Sequence, residues 1–393
     1  RKQLPERREE LSGSPIVDTR QNIICIQIES LDSVILDHVH EGREVTPFLN
    51  SLKRKSLYFD NFYAQHVNGS FDAELSFFTS VYPLNKHYGF KVNDLVAFDS
   101  LIPVLNDRGY ATAAFHGNDK SFFYRDKAYE ELGFDRFYSR EDFDETTMRF
   151  SNEGSTFGVN DHDFLLQSAD ILNEIEQPFF ALFITVTSHT PFDFVPESMH
   201  IAQFESIMNP LVRGYFNSMA FVDSALELFF AELERSGVLE DALILIYGDH
   251  DAGIDKQEYR SSRPFMLERQ VKTPESVPLM ILHSELEPRL SLKEGSHAAL
   301  APTILDFIGE SRTPDDFMGY SLMSDFEAPV LFLHELPQLL HQGQLYVLAP
   351  DGLEQVGYDP SFGRRSIELP EQEYIAMLDY IRDVIFSRRA VDP

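Results

Sequence analysis

Glu29, His116, His189, Asp249 and His250 stand at or just beyond the ends of four apolar runs, NIICIQIE, YATAAFH, FFALFITVTSH and ALILIYGDH. Glutamate, aspartate and histidine are hard or borderline donors that suit a divalent cation, and the adjacent pair Asp249-His250 on one tight turn can reach a single ion. Taken singly, each has an ordinary reading: Glu29 as a cap, His116 as a turn residue, His189 as a satisfied loop histidine. Their recurrence at the ends of runs far apart in sequence argues for a shared site. Ser70 lies in VNGSFDAELSFF, directly before a segment with helical character. One reading makes it an N-cap, its side-chain oxygen accepting a first-turn N–H. The other makes it a nucleophile. A divalent cation acidifies an oxygen that it binds, as the fall of water from ~16 to ~7 on zinc shows, and the helix dipole favours an anionic phosphoryl or sulfuryl group there.

The elements that must position these residues follow from the patterning. The four runs read as buried strands, and VTPFLNSLKRKS, FDSLIPVLNDRG, NDHDFLLQSADILNEIE and RGYFNSMAFVDSALELFFAELERSG between them have helical spacing. Gly109 and Gly237 stand where a helix C-cap glycine belongs. SVPLMILHS reads as a further strand and HAALAPTILDFIG as a helix closed by Gly309. Strands alternating with helices predict an α/β fold with a largely parallel central sheet sandwiched by helices, and in such a sheet ligands bind beyond the strands' carboxyl ends. From about Phe326 short strand-like runs and a closing amphipathic stretch, EQEYIAMLDYIRDVIFSRR, predict a small C-terminal α+β subdomain. The expected organisation is a charged linker over 1–20, a catalytic domain over 21–325 and the subdomain over 326–393.

Composition narrows the class. The 393 residues are 43% hydrophobic with 34 phenylalanines, enough for a substantial core. A net charge of −31, spread along the chain, repels nucleic acid and anionic surfaces, so no nucleic-acid partner is expected. An anionic substrate would need a local cationic centre. Cys25 is the single cysteine and sits in an apolar run, which excludes a disulfide scaffold or a CxxC zinc site and points to inert core. No apolar run approaches the ~18 residues of a membrane span. The chain opens at Arg1 with the charged stretch RKQLPERREE, so a fragment or processed form is expected.

NIICIQIESL, VTPFLNSL, NGSFDAE, FHGNDKSFFYRDKAYEELGFDRF, TVTSHTPF and YGDHDAG, in that order from Asn22 to about Gly309, resemble the extracellular domain of the lipoteichoic acid synthase-like phosphoglycerol transferases. That group belongs to the alkaline phosphatase and sulfatase superfamily. The resemblance implies that Glu29, Ser70, Asp249 and His250 bind one divalent metal, most often Mn²⁺, with Zn²⁺ or Mg²⁺ as alternatives. It implies Ser70 as catalytic nucleophile and places His116, Arg125 and His189 at substrate-binding positions. The family commonly has threonine where this chain has Ser70, and a tryptophan where it has Phe123. A formylglycine sulfatase needs C/S-x-P-x-R, and Ser70-Phe71-Asp72-Ala73-Glu74 has neither the proline nor the arginine. One cysteine cannot supply the bridges of the related phosphoethanolamine transferases. Among neighbouring residues, Asp72, Glu74 and Asp251 read as helix caps or supports, Asp161, His162 and Asp163 as caps, Lys120 as a second cation near Arg125, and His297 as a candidate for the site's rim.

The expected activity is transfer of a phosphoglycerol group from a phosphatidylglycerol-like lipid, through a covalent Ser70 intermediate, to the hydroxyl of a glycolipid, glucan or growing polymer. With water as acceptor the same site is a phosphodiesterase or sulfatase-like ester hydrolase. The alternative of another class is an inactive module that binds lipid headgroups. The resemblance also implies the extracytoplasmic face of a bacterial membrane, in the periplasm or at the cell surface, with membrane attachment through a missing N-terminal region.

Overall fold

The computed structural model describes residues 11–17, 21–92, 94–150, 157–254, 274–349 and 352–355. Its centre is an eight-stranded sheet: β1 (Ile23–Ile28), β2 (Leu57–Phe59), β3 (Ala111–His116), β4 (Arg136–Tyr138), β5 (Phe179–Ile184), β6 (Leu243–Gly248), β7 (Leu279–Leu282) and β8 (Arg289–Ser291), in the order β8-β2-β7-β6-β1-β5-β3-β4. The four runs that the sequence marked as buried strands are its middle. β6, β1, β5 and β3 are mutually parallel, so their carboxyl ends share one edge. β7 alone among these strands runs antiparallel to its neighbours, a direction that its apolar composition does not encode.

Both faces of the sheet are covered, which is why β1 is buried along its whole length. Cys25, on one face, joins a core with α2 (Phe71–Thr79), α3 (Leu101–Asp107), α4 (Arg125–Leu132) and α7 (Leu300–Phe307). Ile24, Ile26 and Ile28, on the other, pack with α1 (Pro47–Lys55), α5 (Asp161–Leu172) and α6 (Pro210–Ser236). The long α6 has the expected ends: the Asn209 side chain accepts from Leu211 N–H, Pro210 opens it, and Gly237 closes it at φ +78°.

Register decides what meets at the carboxyl edge. Ile28 pairs with Gly248, so the next residues, Glu29 and Asp249, emerge side by side. His116 and Gln27 both pair with Ile184, so His116, two strands from β1, stands level with Gln27. Gly248 is glycine for a steric reason: a Cβ there would come within 2.4 Å of the Leu31 carbonyl oxygen.

Within the stretch expected as a linker, Leu11 and Val17 are buried, and Leu11, Gly13 and Ile16 donate backbone hydrogen bonds to Ser311, Glu310 and Phe307. Residues 1–10 and 18–20 lie outside the described residues. At the other end an antiparallel meander, β9 (Val330–Phe332), β10 (Gln338–His341), β11 (Gln344–Ala349) and β12 (Gly352–Gln355), packs Leu331, Leu333 and Leu339 against the main core. The amphipathic stretch expected after it lies outside the described residues.

Candidate active site

Ser70 occupies the N-cap position of α2, yet its side chain makes no capping hydrogen bond and its backbone is already helical, φ −54° and ψ −33°. The turn ahead of the helix is held instead by Asp72, whose carboxylate accepts from Val67 N–H at 3.0 Å and Asn68 N–H at 2.6 Å. The buried Ser70 hydroxyl is thereby left to face other elements: its Oγ lies 3.2 Å from His250 Nε2 and 3.5 Å from Glu29 Oε2.

Glu29 is fixed through its backbone, donating its N–H to Thr185 Oγ1 at 3.0 Å and accepting at its carbonyl from Ser188 Oγ at 2.6 Å. Its carboxylate accepts from Ser30 Oγ at 3.0 Å and lies 3.1 Å from His250 Nε2. Asp249 Oδ1 accepts from the backbone N–H groups of Ser30, 2.8 Å, and His250, 2.7 Å. Its Oδ2 is buried without a hydrogen-bond partner and stands 3.6 Å from His250 Nε2. A buried carboxylate oxygen left this way is costly unless something positive binds it. His250 Nδ1 faces the Asp251 carbonyl at 2.7 Å, which turns Nε2 toward the carboxylates.

The electrostatics agree with that reading. Burial and the neighbouring Glu29 charge push Asp249 well above the ordinary carboxylate range. Against its own desolvation, Glu29 is held low chiefly by His250. Burial would depress His250, but the Asp249 and Glu29 carboxylates hold it well above its ordinary value. Two carboxylates, an imidazole nitrogen and a hydroxyl thus converge where positive charge is favoured. Separations of 3.1 to 3.6 Å between these atoms are close to the ~3.4 Å edge of a tetrahedron with ~2.1 Å bonds, so the donor set fits a divalent metal.

Arg125 opens α4 and is 2% exposed. Its Nε donates to Glu74 Oε2 at 2.9 Å and its Nη2 to Glu74 Oε1 at 2.5 Å. Glu74 also accepts from Gln27 Nε2 at 3.2 Å and from the Tyr129 hydroxyl. The carboxylate therefore anchors the arginine, a more specific part than the cap or support expected for it. The aromatic rings of Phe122 and Phe123 lie 6.0 and 5.6 Å from the guanidinium, within cation–π range. Phe123 takes φ +56° and Tyr124 φ +61°.

His116 is buried, with Nδ1 3.1 Å from the Ile184 carbonyl and Nε2 3.3 Å from Arg125 Nη1. Burial and the Arg125 charge pull its pKa down to about 3, so it is a neutral ring that donates to Ile184 and accepts from Arg125. His189 is half-buried, its Nδ1 2.6 Å from the Thr190 carbonyl and its ring centroid 4.0 Å from that of Phe157.

Other expectations sort differently. Lys120 is exposed; the Ser139 hydrogen bond chiefly holds Glu141 below the usual carboxylate range, with the Lys120 charge a lesser contribution. His297 is fully buried with both nitrogens used: Nδ1 accepts from Gln65 N–H at 3.0 Å and Nε2 donates to the Gly248 carbonyl at 2.9 Å. It braces the strand end that carries Asp249 from behind. The cap of α5 is Asn160, not the three residues after it. Asp161 instead accepts from Val186 and Thr187 N–H, at 2.8 and 2.9 Å, and so ties down the loop after β5; successive helical residues point in different directions, and the first points back to the sheet.

The sequence reading did not single out Tyr129, His66 or Glu275. His66 stacks on His250 with centroids 4.2 Å apart, and its Nδ1 is 3.0 Å from Glu275 Oε2, which also accepts from Asp251 N–H at 3.2 Å. His66 and Glu275 thus brace the His250 ring and its turn. Nothing local in the sequence marks this pair, because His66 and Glu275 are 209 residues apart.

A sulfatase family profile matches residues 21–310. The chain is 30% identical to the lipoteichoic acid synthase-like protein YvgJ of Bacillus subtilis over 80% of its own length and 51% of that protein's. It is 34% identical to lipoteichoic acid synthase 1 of the same organism over 74% and 46% of the two chains. It spans about half the length of these curated relatives. The fold superposes on the lipoteichoic acid synthase LtaP of Listeria monocytogenes with a TM-score of 0.79 at 22% identity, covering 98% of this chain and 95% of that one. An alkaline phosphatase superfamily protein of Vibrio parahaemolyticus matches with a TM-score of 0.75 at 20% identity, over 96% and 90% of the chains. The resemblance read from the motifs and the fold class read from the patterning are both borne out. By the extent of the profile match, the chain belongs to the sulfatase family.

Proposed function

We propose that this chain transfers a phosphoglycerol group from a phosphatidylglycerol-like lipid to an acceptor hydroxyl, at the extracytoplasmic face of a bacterial membrane. Family membership supports an enzyme acting on phosphoric or sulfate esters, and the names of the synthase relatives favour the phosphoglycerol reading. The observation that carries it is the Ser70 hydroxyl, uncommitted to helix capping and 3.2 Å from His250 Nε2. Glu29, Asp249, His250 and Ser70 would hold one divalent metal, Mn²⁺ by resemblance. Such a cation lowers the pKa of the serine hydroxyl and offsets phosphoryl charge.

Ser70 Oγ attacks phosphorus; the Oγ–P bond forms and the bond from phosphorus to the diacylglycerol oxygen breaks. The Ser70 proton passes to solvent as the bond forms, and the departing oxygen takes one up. That proton would come from Nε2 of His189 in its imidazolium form, whose Nδ1–H is held by the Thr190 carbonyl; His189 is left neutral. His116, neutral and engaged with Ile184 and Arg125, supports the anion through Arg125. Arg125 binds the non-bridging phosphate oxygens, its orientation set by Glu74. In the second half an acceptor hydroxyl attacks the same phosphorus, its proton leaves and Ser70 regains one. A glycolipid, glucan or growing polymer as acceptor gives transfer; water gives hydrolysis. Supplying phosphatidylglycerol with and without a glycolipid acceptor tests the reading: transfer product in excess of free glycerol phosphate supports it, and release unaffected by acceptor supports a hydrolase.

A further inference from the structure

Among the described residues, four exposed large apolar side chains lie on short pieces around α4, the helix that Arg125 opens: Tyr88, 50% exposed, Val92, 43%, Val96, 70%, and Tyr124, 46%. They lie on three short pieces, the helix Gly89–Val92 with Tyr88 ahead of it, the 3-10 turn Leu95–Ala97 and the 3-10 turn Phe122–Tyr124. All three pieces pack on α4, and the helix Gly89–Val92 also packs on the turn Phe122–Tyr124. The stretch KHYGFKV, Lys86 to Val92, carries two exposed lysines and no carboxylate in a chain of net charge −31. Lys91 Nζ stands 5.5 Å above the Tyr124 ring. Asp94, Asp126 and Glu130 border the patch.

Phe123 and Tyr124 join this surface to the site. Both hold positive φ, a costly conformation for bulky aromatic residues, and two in succession mark a turn kept for a purpose. Phe123 turns inward over the Arg125 guanidinium and against Phe71, with centroids 5.0 Å apart, while Tyr124 turns outward. Tyrosines and lysines with valines between them suit the boundary between lipid headgroups and acyl chains, where rings with one polar end sit and lysine ammonium groups reach phosphates. The acidic remainder of the surface opposes approach to an anionic membrane, but at physiological salt its field fades within about 8 Å, so the charges at the contact decide.

We propose that the rim formed by Lys86, Tyr88, Lys91, Val92, Val96 and Tyr124 docks on an anionic lipid membrane. This rests on the lipid-donor reading of the site. Docking there sets Arg125 at headgroup level, so that a phosphodiester headgroup enters the pocket while its acyl chains stay in the bilayer.

The test is co-sedimentation of the whole chain, carrying Ser70→Ala to prevent turnover, with vesicles of phosphatidylcholine alone, with added phosphatidylserine, or with added phosphatidylglycerol. Binding to both anionic mixtures and little to phosphatidylcholine is expected. Lys86→Glu with Lys91→Glu, and Val92→Asp with Val96→Asp, should each weaken it at least about fivefold, whereas Leu290→Asp with Leu292→Asp, also exposed but in and just after β8, should not. Absent binding, equal binding by the rim variants, or binding to phosphatidylglycerol only that is lost in Arg125→Ala and kept in the rim variants would each overturn the proposal. So would self-association of the parent in sedimentation velocity that the valine variant abolishes. In the Ser70 background the rim variants should cleave a water-soluble aryl phosphodiester at the parent rate. A parent that cleaves no phosphodiester counts against the site reading, while the vesicle result still judges the rim.

Discussion

Glu74 and Arg125 face each other in a bidentate ion pair buried to 0% and 2% side-chain exposure, joining the helix that begins behind Ser70 to the helix that begins at the arginine. Ser70 and Glu74 are four residues apart, one helical turn, so the hydroxyl and the arginine's anchor move as one unit. Removing one partner of such a pair leaves an uncompensated buried charge, at a cost of about 3 to 5 kcal/mol. Glu74→Ala should lose stability of that order in urea unfolding and raise KM more than it lowers kcat. A variant as stable as the parent with an unchanged KM would show that the pair positions nothing.

Divalent metal should stabilise the folded chain. A ligand present at 100 times its Kd contributes about 2.7 kcal/mol, so Mn²⁺ or Zn²⁺ added to chelator-treated protein should raise the Tm measurably. In Asp249→Asn, where the partnerless Oδ2 becomes part of an amide, most of that rise should vanish. A parent Tm indifferent to all three of Mn²⁺, Zn²⁺ and Mg²⁺ would remove the metal from the account.

His66 braces His250 by its face and by Glu275. His66→Ala should weaken Mn²⁺ binding measured by calorimetry, and His66→Phe, which keeps a ring against His250, should recover much of it. Equal affinity in parent and alanine variant would assign His66 to packing alone.

Acid should expose the role of His297. Burial pulls its pKa down from 6.5 to about 4 in the folded chain, so it stays neutral there while the unfolded imidazole takes up a proton below about 6.5. Its contribution is complete above about 6.5 and is lost as pH falls toward 4, by up to roughly 1.4 kcal/mol per pH unit. The stability difference between the parent and His297→Gln should therefore shrink between pH 7 and pH 5. Asp72 and Asp223, both pushed up to about 7 by burial, act in the opposite sense in both proteins and cancel in the difference. A difference that does not vary with pH would mean that His297 titrates alike in the folded and unfolded chain, and one that grows toward pH 5 would mean that it carries a proton on both nitrogens when folded.

The sequence disclosed the middle of the molecule better than its edges. β1, β3, β5 and β6 are buried on both faces and read as continuous apolar runs, so their existence and the carboxyl edge that they share were legible. β2, β4 and β8 are three residues each, too short for a period to register, and the reversal of β7 lies in connections rather than in its side chains. At the site, Glu29, Ser70, Asp249 and His250 were marked by their places at element ends. Glu74 looked like a first-turn acid because nothing local says that its partner is Arg125, 51 residues on. Asp161 looked like a cap for the same reason: its partners are backbone N–H groups on the loop after β5.

The most direct test of the account is intact-protein mass spectrometry after incubation with phosphatidylglycerol and Mn²⁺, followed by peptide mapping. The account expects a phosphoglycerol adduct on Ser70 in the parent, no adduct in Ser70→Ala, and a fold retained in that variant, since the Ser70 side chain makes no capping bond whose loss would destabilise α2. Turnover should fall by several orders of magnitude in Ser70→Ala and remain measurable in Ser70→Thr, which keeps the hydroxyl. An alanine variant that turns over phosphatidylglycerol at near the parent rate, or an adduct on another residue, would contradict Ser70 as the nucleophile.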